Sequence, residues 1–117
     1  GPAKAAITFE SEWGTPDGMT IDAGGNLWIA HWNTHLISHW NPKTGNVLSK
    51  VQIPSFRVTS CMFGGPDLRT LYVTTGTCDA TEADLQDFPL SGALLGLEPA
   101  VGGIPESRLL MAANGRG

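Results

Sequence analysis

Four sets of side chains in this 117-residue sequence could do chemistry. The first is Asp17, set in Thr15-Pro16-Asp17-Gly18 ahead of an apolar run, where a carboxylate can take a proton or help hold a hard cation. By itself the same string is a well-formed turn, with Pro presetting φ and the Asp oxygen able to cap nearby amides. The second set is His31, His35 and His39, each four residues after the last. On a helix these imidazoles would share one face, as a zinc site needs. The Trp, Ile and turn residues around them favour strands, with Asn33-Thr34 reversing the chain; three surface imidazoles are then expected, and a metal site is the weaker alternative. The third set, Cys61 and Cys78, has neither CxxC nor paired-ligand spacing and reads as two reduced thiols, Cys61 being buried and inert beside Met62 and Phe63. The fourth, Trp28, Trp32, Trp40 and Tyr72, could stack on a sugar, but on strands such aromatics more commonly pack between sheets.

Whatever positions these groups is turn-rich. The sequence carries 15 Gly and 8 Pro, is 41% apolar and only 15% charged, and has a formal charge of −4. That composition disfavours disorder and long surface helices. An acidic balance without a basic run makes nucleic acid an improbable partner. No apolar stretch approaches the roughly 20 residues that span a bilayer, and no signal-type pattern opens the sequence, so no membrane partner is expected and a soluble, cytoplasmic chain is favoured.

Short apolar runs alternate with turns: Met19-Thr20-Ile21, then Asp22-Ala23-Gly24-Gly25-Asn26, then Leu27-Trp28-Ile29-Ala30. His35 to Trp40 follows, closed by Asn41-Pro42-Lys43-Thr44-Gly45, and Val47 to Ile53 reads as a fourth strand. A second set begins with Thr59 to Phe63, turns at Gly64-Gly65-Pro66-Asp67 and continues through Leu71 to Thr74. Leu71-Tyr72-Val73 repeats Leu27-Trp28-Ile29 at a spacing of 44, which is the period of a β-propeller blade.

The expected class is therefore all-β, with about two four-stranded antiparallel blades of a propeller. Residues 1–13 hold the outer strand of a preceding blade (Ala5 to Phe9), residues 14–56 the first full blade, and residues 57–117 the second and final blade. Within the latter, 77–89 is an acidic loop or a short helix from Ala80 to Phe88 with Thr81 near its start. Gly92 to Leu97 is the expected third strand and Arg108 to Ala112 a fourth.

The string from Thr15 to Ala30, PDGMTIDAGGNLWIA within it, resembles the senescence-marker-protein, gluconolactonase and luciferin-regenerating enzyme family, the regucalcin-like proteins. The similarity continues through Asn41 to Gly45, Arg57 to Asp67, Thr70 to Thr74 and Pro89 to Leu94. It implies a six-bladed propeller of which this sequence would be the last two blades. It also implies a divalent metal, Ca²⁺ or Zn²⁺ with Mn²⁺ or Mg²⁺ as further options, whose Pro-Asp-Gly ligand has its counterpart in Asp17. In that reading a small-molecule sugar lactone is the substrate. The ion polarises its carbonyl and acidifies a water, and Asp17 is both ligand and catalytic base. Relatives usually carry Asn-Gly-Gly and a basic residue where this sequence has Trp32-Asn33-Thr34-His35-Leu36, which puts that turn's geometry in question.

One carboxylate cannot hold a metal, so the isolated chain is expected to be weakly active or silent. The alternative is a non-catalytic assembly module, in which self-association through open blade faces, three copies to a ring, closes the propeller.

Overall fold

A computed structural model describes residues 2–103. Two antiparallel sheets pack face to face. The first has the order β1 (Pro16–Ile21), β2 (Leu27–His31), β3 (Leu36–Asn41) and β4 (Asn46–Gln52). The second comprises β5 (Arg57–Gly64), β6 (Thr70–Gly76) and β7 (Leu94–Leu97), with α1 (Glu82–Asp87) inserted between the last two. The sequence expected a strand in each of these places and a short helix in the acidic loop. Thr81 caps that helix: its hydroxyl accepts from the Asp84 amide at 3.1 Å while the Asp84 carboxylate accepts from the Thr81 amide at 2.9 Å. The fourth strand expected at Arg108 to Ala112 lies outside the described residues.

The alternation of side chains along each strand decides where the core sits. Trp28 and Ala30 on β2 and Ile37 on β3 point at Cys61 and Phe63 on β5 and at Leu71 and Val73 on β6, and all are buried. Val51, Leu95, Leu97 and Val101 close the margin of this layer. Each fully buried aliphatic side chain contributes about 1.5–3 kcal/mol.

The opposite face of the first sheet carries Ile29, His31, Ser38 and Trp40, also buried. Residues 5–9, expected as an outer strand, form none: without a neighbouring strand to pair with, they run as irregular backbone and deliver Phe9 onto this face. Its ring lies edge-on to His31 and Trp40, with centroids 5.1 and 5.2 Å away. A 3₁₀ turn (Ser11–Trp13) brings Trp13 to 5.0 Å from Trp40.

The sheets touch most closely where β1 meets β5. An ideal Cβ on Gly18 would collide with the Ser60 side chain and lie 2.9 Å from its Cα, so this position accepts only glycine. The β1–β2 register is irregular between Pro16 and Met19, and the β5–β6 register between Val58 and Ser60, so both inner strands distort at the level of that contact.

Antiparallel pairing places Pro16, the Trp32–His35 turn, the start of β5 and the end of β6 at one end of the molecule. The Asp22–Asn26 turn and residues 98–103 share the other, joined by a bridge between Asp22 and Gly103.

Candidate active-site rim around Asp17

Asp17 is exposed, stands in the irregular part of β1, and has no hydrogen-bond partner among the described residues. It edges a cavity of about 200 Å³ walled by Phe9, Met19, Leu27 and Ile29. The rim beside it is built from the Trp32–His35 turn. The Thr15 amide donates to Asn33 Oδ1 at 2.8 Å, and the Trp32 amide donates to the Thr15 carbonyl at 2.9 Å, so the turn and the Pro-Asp-Gly segment are tied together. The Arg57 guanidinium lies 3.9 Å over the Trp32 ring and 4.1 Å over Phe56 at the same end.

His35 completes that turn with φ 62°, the conformation for which a glycine would be the easy choice. The missing glycine is made good by contacts. His35 Nδ1 is 3.0 Å from the Ser55 carbonyl, its ring stacks on Phe88 at 4.3 Å, and its own carbonyl accepts from the Ile53 amide at 2.8 Å.

The three histidines do not converge, but neither are they the surface imidazoles expected of them. His31 is fully buried and His39 stacks on Trp28 at 3.9 Å. The four-residue spacing places His31 and His39 on opposite faces of one sheet, because they sit on successive antiparallel strands at odd register. His31 Nε2 lies 2.6 Å from Ser38 Oγ, which also accepts from the Trp40 indole at 2.6 Å. An indole can only donate, so the serine proton goes to Nε2 and the imidazole proton is left on Nδ1, which is buried without a partner. Burial pushes the His31 pKa below its ordinary 6.5, the Trp13 backbone pulling weakly the other way.

Cys61 is buried and its thiol, pushed up to about 12 by burial, donates to the Trp28 carbonyl at 3.4 Å. It is an inert core group, and Cys78 is a free, exposed thiol. Trp28 and Trp40 are core, as their place on strands suggested.

Asp22 is the residue the sequence reading passed over. It is 1% exposed, and its carboxylate accepts four hydrogen bonds: from the Gly24 amide at 2.8 Å, the Asn26 amide at 3.0 Å, the Trp28 indole at 2.9 Å and His39 Nε2 at 2.8 Å. Burial alone would raise its pKa, but these donors together hold it below 3.8. The signal was present as Asp22-x-Gly24-x-Asn26-x-Trp28, a turn acid followed six residues on by an indole. The histidine could be placed only once the β2–β3 register paired Trp28 with His39.

Comparison with known proteins gives this geometry its context. A family profile described as SMP-30/Gluconolactonase/LRE-like region matches residues 1–77, a stretch that includes Asp17, Asp22 and all strands through β6. The chain belongs to the SMP-30/gluconolactonase/LRE-like family. Within it, regucalcin of Xenopus laevis is 43% identical over 92 residues, 78% of this chain and 30% of that protein. A pentonolactonase of Haloferax volcanii is 41% identical over 99 residues, 81% of this chain and 34% of that protein. Among solved structures, a calcium-binding protein, regucalcin, from Agrobacterium tumefaciens superposes with a TM-score of 0.83 at 28% identity, covering 93% of this chain and 37% of that one. This member of the SMP-30/gluconolactonase/LRE-like family thus spans about a third of the length of the curated relatives it matches.

Asp17 is the natural candidate for a metal-binding residue here, but it stands alone. Among the described residues no three His, Cys, Asp or Glu side chains converge. A hard cation wants about six oxygens and zinc about three protein ligands, so the described residues by themselves do not hold one. No helix among them is long and apolar enough to cross a membrane.

Proposed function

We propose that the chain is the C-terminal two-blade portion of a divalent-metal-dependent sugar lactonase, in which Asp17 supplies one metal ligand and the general base. The observation that carries this reading is an exposed carboxylate without a hydrogen-bond partner among the described residues, on the inner strand of a chain whose relatives include a pentonolactonase. A carboxylate in that state keeps its lone pairs for a cation or a water proton. Hydrolysis adds water across the lactone C–O bond: Asp17 takes the proton of the attacking water and returns it to the departing ring oxygen, leaving a hydroxy acid. The remaining ligands and the groups that hold the sugar come from the rest of the ring, so the isolated chain is weak or silent. The test is gluconolactone hydrolysis with Ca²⁺, Zn²⁺, Mn²⁺ or Mg²⁺, with and without a complementing fragment of a full-length relative. Asp17→Ala abolishes whatever metal-stimulated rate is found; equal rates in the two proteins remove Asp17 from the mechanism.

The second reading, an assembly module, draws on Met19 and Ile21, which are 50% and 40% exposed on the outer face of the first sheet, and on Leu94, 65% exposed on the second. Such surface favours burial against another chain. Light scattering separates the two: a mass three times 12.4 kDa supports closure by three copies, and a monodisperse monomer rules it out.

A further inference from the structure

At the end of the molecule away from Asp17, three side chains stand in a line that the lactonase reading leaves unused. The Asp22 carboxylate is 2.8 Å from His39 Nε2, and His39 Nδ1 is 3.4 Å from Ser49 Oγ. The elements that fix this line are the Asp22 turn, β3 and the edge strand β4, where Ser49 is the direct cross-strand neighbour of His39. Asp22 is ionised and receives the Nε2 proton, which keeps Nδ1 bare and facing the serine hydroxyl. Stacking on Trp28 at 3.9 Å, with the planes 16° apart, locks the imidazole in this orientation. Ser49 is exposed, and both it and His39 lie on the wall of a cavity of about 440 Å³ whose other walls are Trp28, Val51, Pro99 and Val101. A nucleophile, a base and an orienting carboxylate at the mouth of an apolar hollow are the parts of an acyl-transfer site, with the two imidazole nitrogens exchanged relative to the usual serine hydrolases.

The geometry points to Ser49 and His39 as a second hydrolytic centre, with Asp22 as its positioning residue, acting on esters of short apolar acids. Ser49 Oγ adds to the ester carbonyl carbon as its proton passes to His39 Nδ1. The alcohol leaves with that proton. Water, deprotonated by the same nitrogen, then releases the acid and regenerates the serine, so no co-reactant beyond water is used. The 3.4 Å separation is typical of resting sites that tighten only around substrate.

The experiment uses the full 117-residue chain with p-nitrophenyl butyrate and, separately, an aryl alkylphosphonate, followed by mass spectrometry of the digested protein. The expected results are hydrolysis above buffer that survives EDTA, a single phosphonyl adduct on Ser49, and a rate about a hundredfold lower in Ser49→Ala and in His39→Gln. Ser49 is on an exposed edge strand, so Ser49→Ala retains the circular dichroism of the parent. Asp22→Asn, if folded, moves the pH–rate profile to lower apparent pKa because the imidazolium loses its anion, a displacement that a purely structural role would not give. An unlabelled Ser49, an adduct on another residue, or equal rates in Ser49→Ala and the parent overturns the proposal. Because the ester reaction is insensitive to chelation and the lactone reaction is not, failure of one leaves the other standing.

Discussion

Two carboxylates bracket the first strand five residues apart, and they have opposite environments. Asp17 is exposed and has no hydrogen-bond partner among the described residues, whereas Asp22 is 1% exposed and accepts four hydrogen bonds from two amides, an indole and an imidazole. A carboxylate whose lone pairs are already filled by the fold cannot bind anything further. It can only brace the structure or orient a neighbour, whereas one left open at a sheet edge contributes little to stability and is available for chemistry. Residue type and turn context are alike at the two positions, so the distinction comes from the tertiary partners.

The largest expected effect is on the braced side. Asp22→Ala strands the Trp28 indole and two turn amides and frees the ring of His39, and should cost about 3–4 kcal/mol, as a change in the urea midpoint at unchanged slope would measure. That is a large share of the roughly 5–15 kcal/mol by which a domain is usually stable. A loss under about 1 kcal/mol would mean that the carboxylate's own desolvation cancels its bonds, and the contrast with Asp17 would collapse.

Next comes the contact that holds the two inner strands together. Gly18→Ala pushes a methyl into Ser60 and its backbone, and repacking there should cost about 1–3 kcal/mol. Combining it with Ser60→Gly should recover most of that loss, whereas Ser60→Gly alone should do little, which separates a steric cause from a general weakening of β5.

How far these features could be read from the sequence follows the same division. Positions set by local backbone chemistry were legible: the Asn41–Gly45 turn, the Thr81 cap of α1, and the alternation that puts Leu71 and Val73 inside. Those needing a partner from another element were not. Ala5 to Phe9 has a strand's composition, yet Phe9 gains more by packing on His31 and Trp40 than by an unpaired ladder. The four-residue spacing of the histidines carried no hint that one would be sealed behind Phe9 and Trp13 while another bound Asp22, because register, not spacing, sets the face. The site was legible at Asp17 through turn and family pattern, whereas the Asp22–His39–Ser49 line required the pairing of three strands.

Acid should unpick the two faces of the first sheet in sequence. His31 has a native pKa below 6.5, so the unfolded chain binds a proton that the native one refuses; its contribution is intact above that pH and is lost as pH falls from 6.5 toward the native value. Asp22, depressed in the fold, contributes fully above 3.8 and loses that contribution as pH falls further, through its native pKa. Urea titrations across this range should show stability falling by at most about 1.4 kcal/mol per pH unit per group. His31→Gln should flatten the upper segment and leave the lower one in place. A slope that persists in this variant would assign it to another group.

The smallest expected change in stability belongs to Asp17, and that smallness is informative. Asp17→Ala removes an exposed carboxylate with no hydrogen-bond partner among the described residues, so its unfolding midpoint should match the parent's to within about 0.5 kcal/mol. Asp17→Asn, which keeps the shape and drops the charge, should do the same. Were either variant clearly more stable than the parent, the carboxylate would be repelled by its surroundings in the absence of a cation, as expected of a ligand held ready for charge it does not yet share. Were either clearly less stable, Asp17 would be a second brace of the Asp22 kind, its Pro-Asp-Gly segment would be a turn and nothing more, and the lactonase reading would have to rest on other residues.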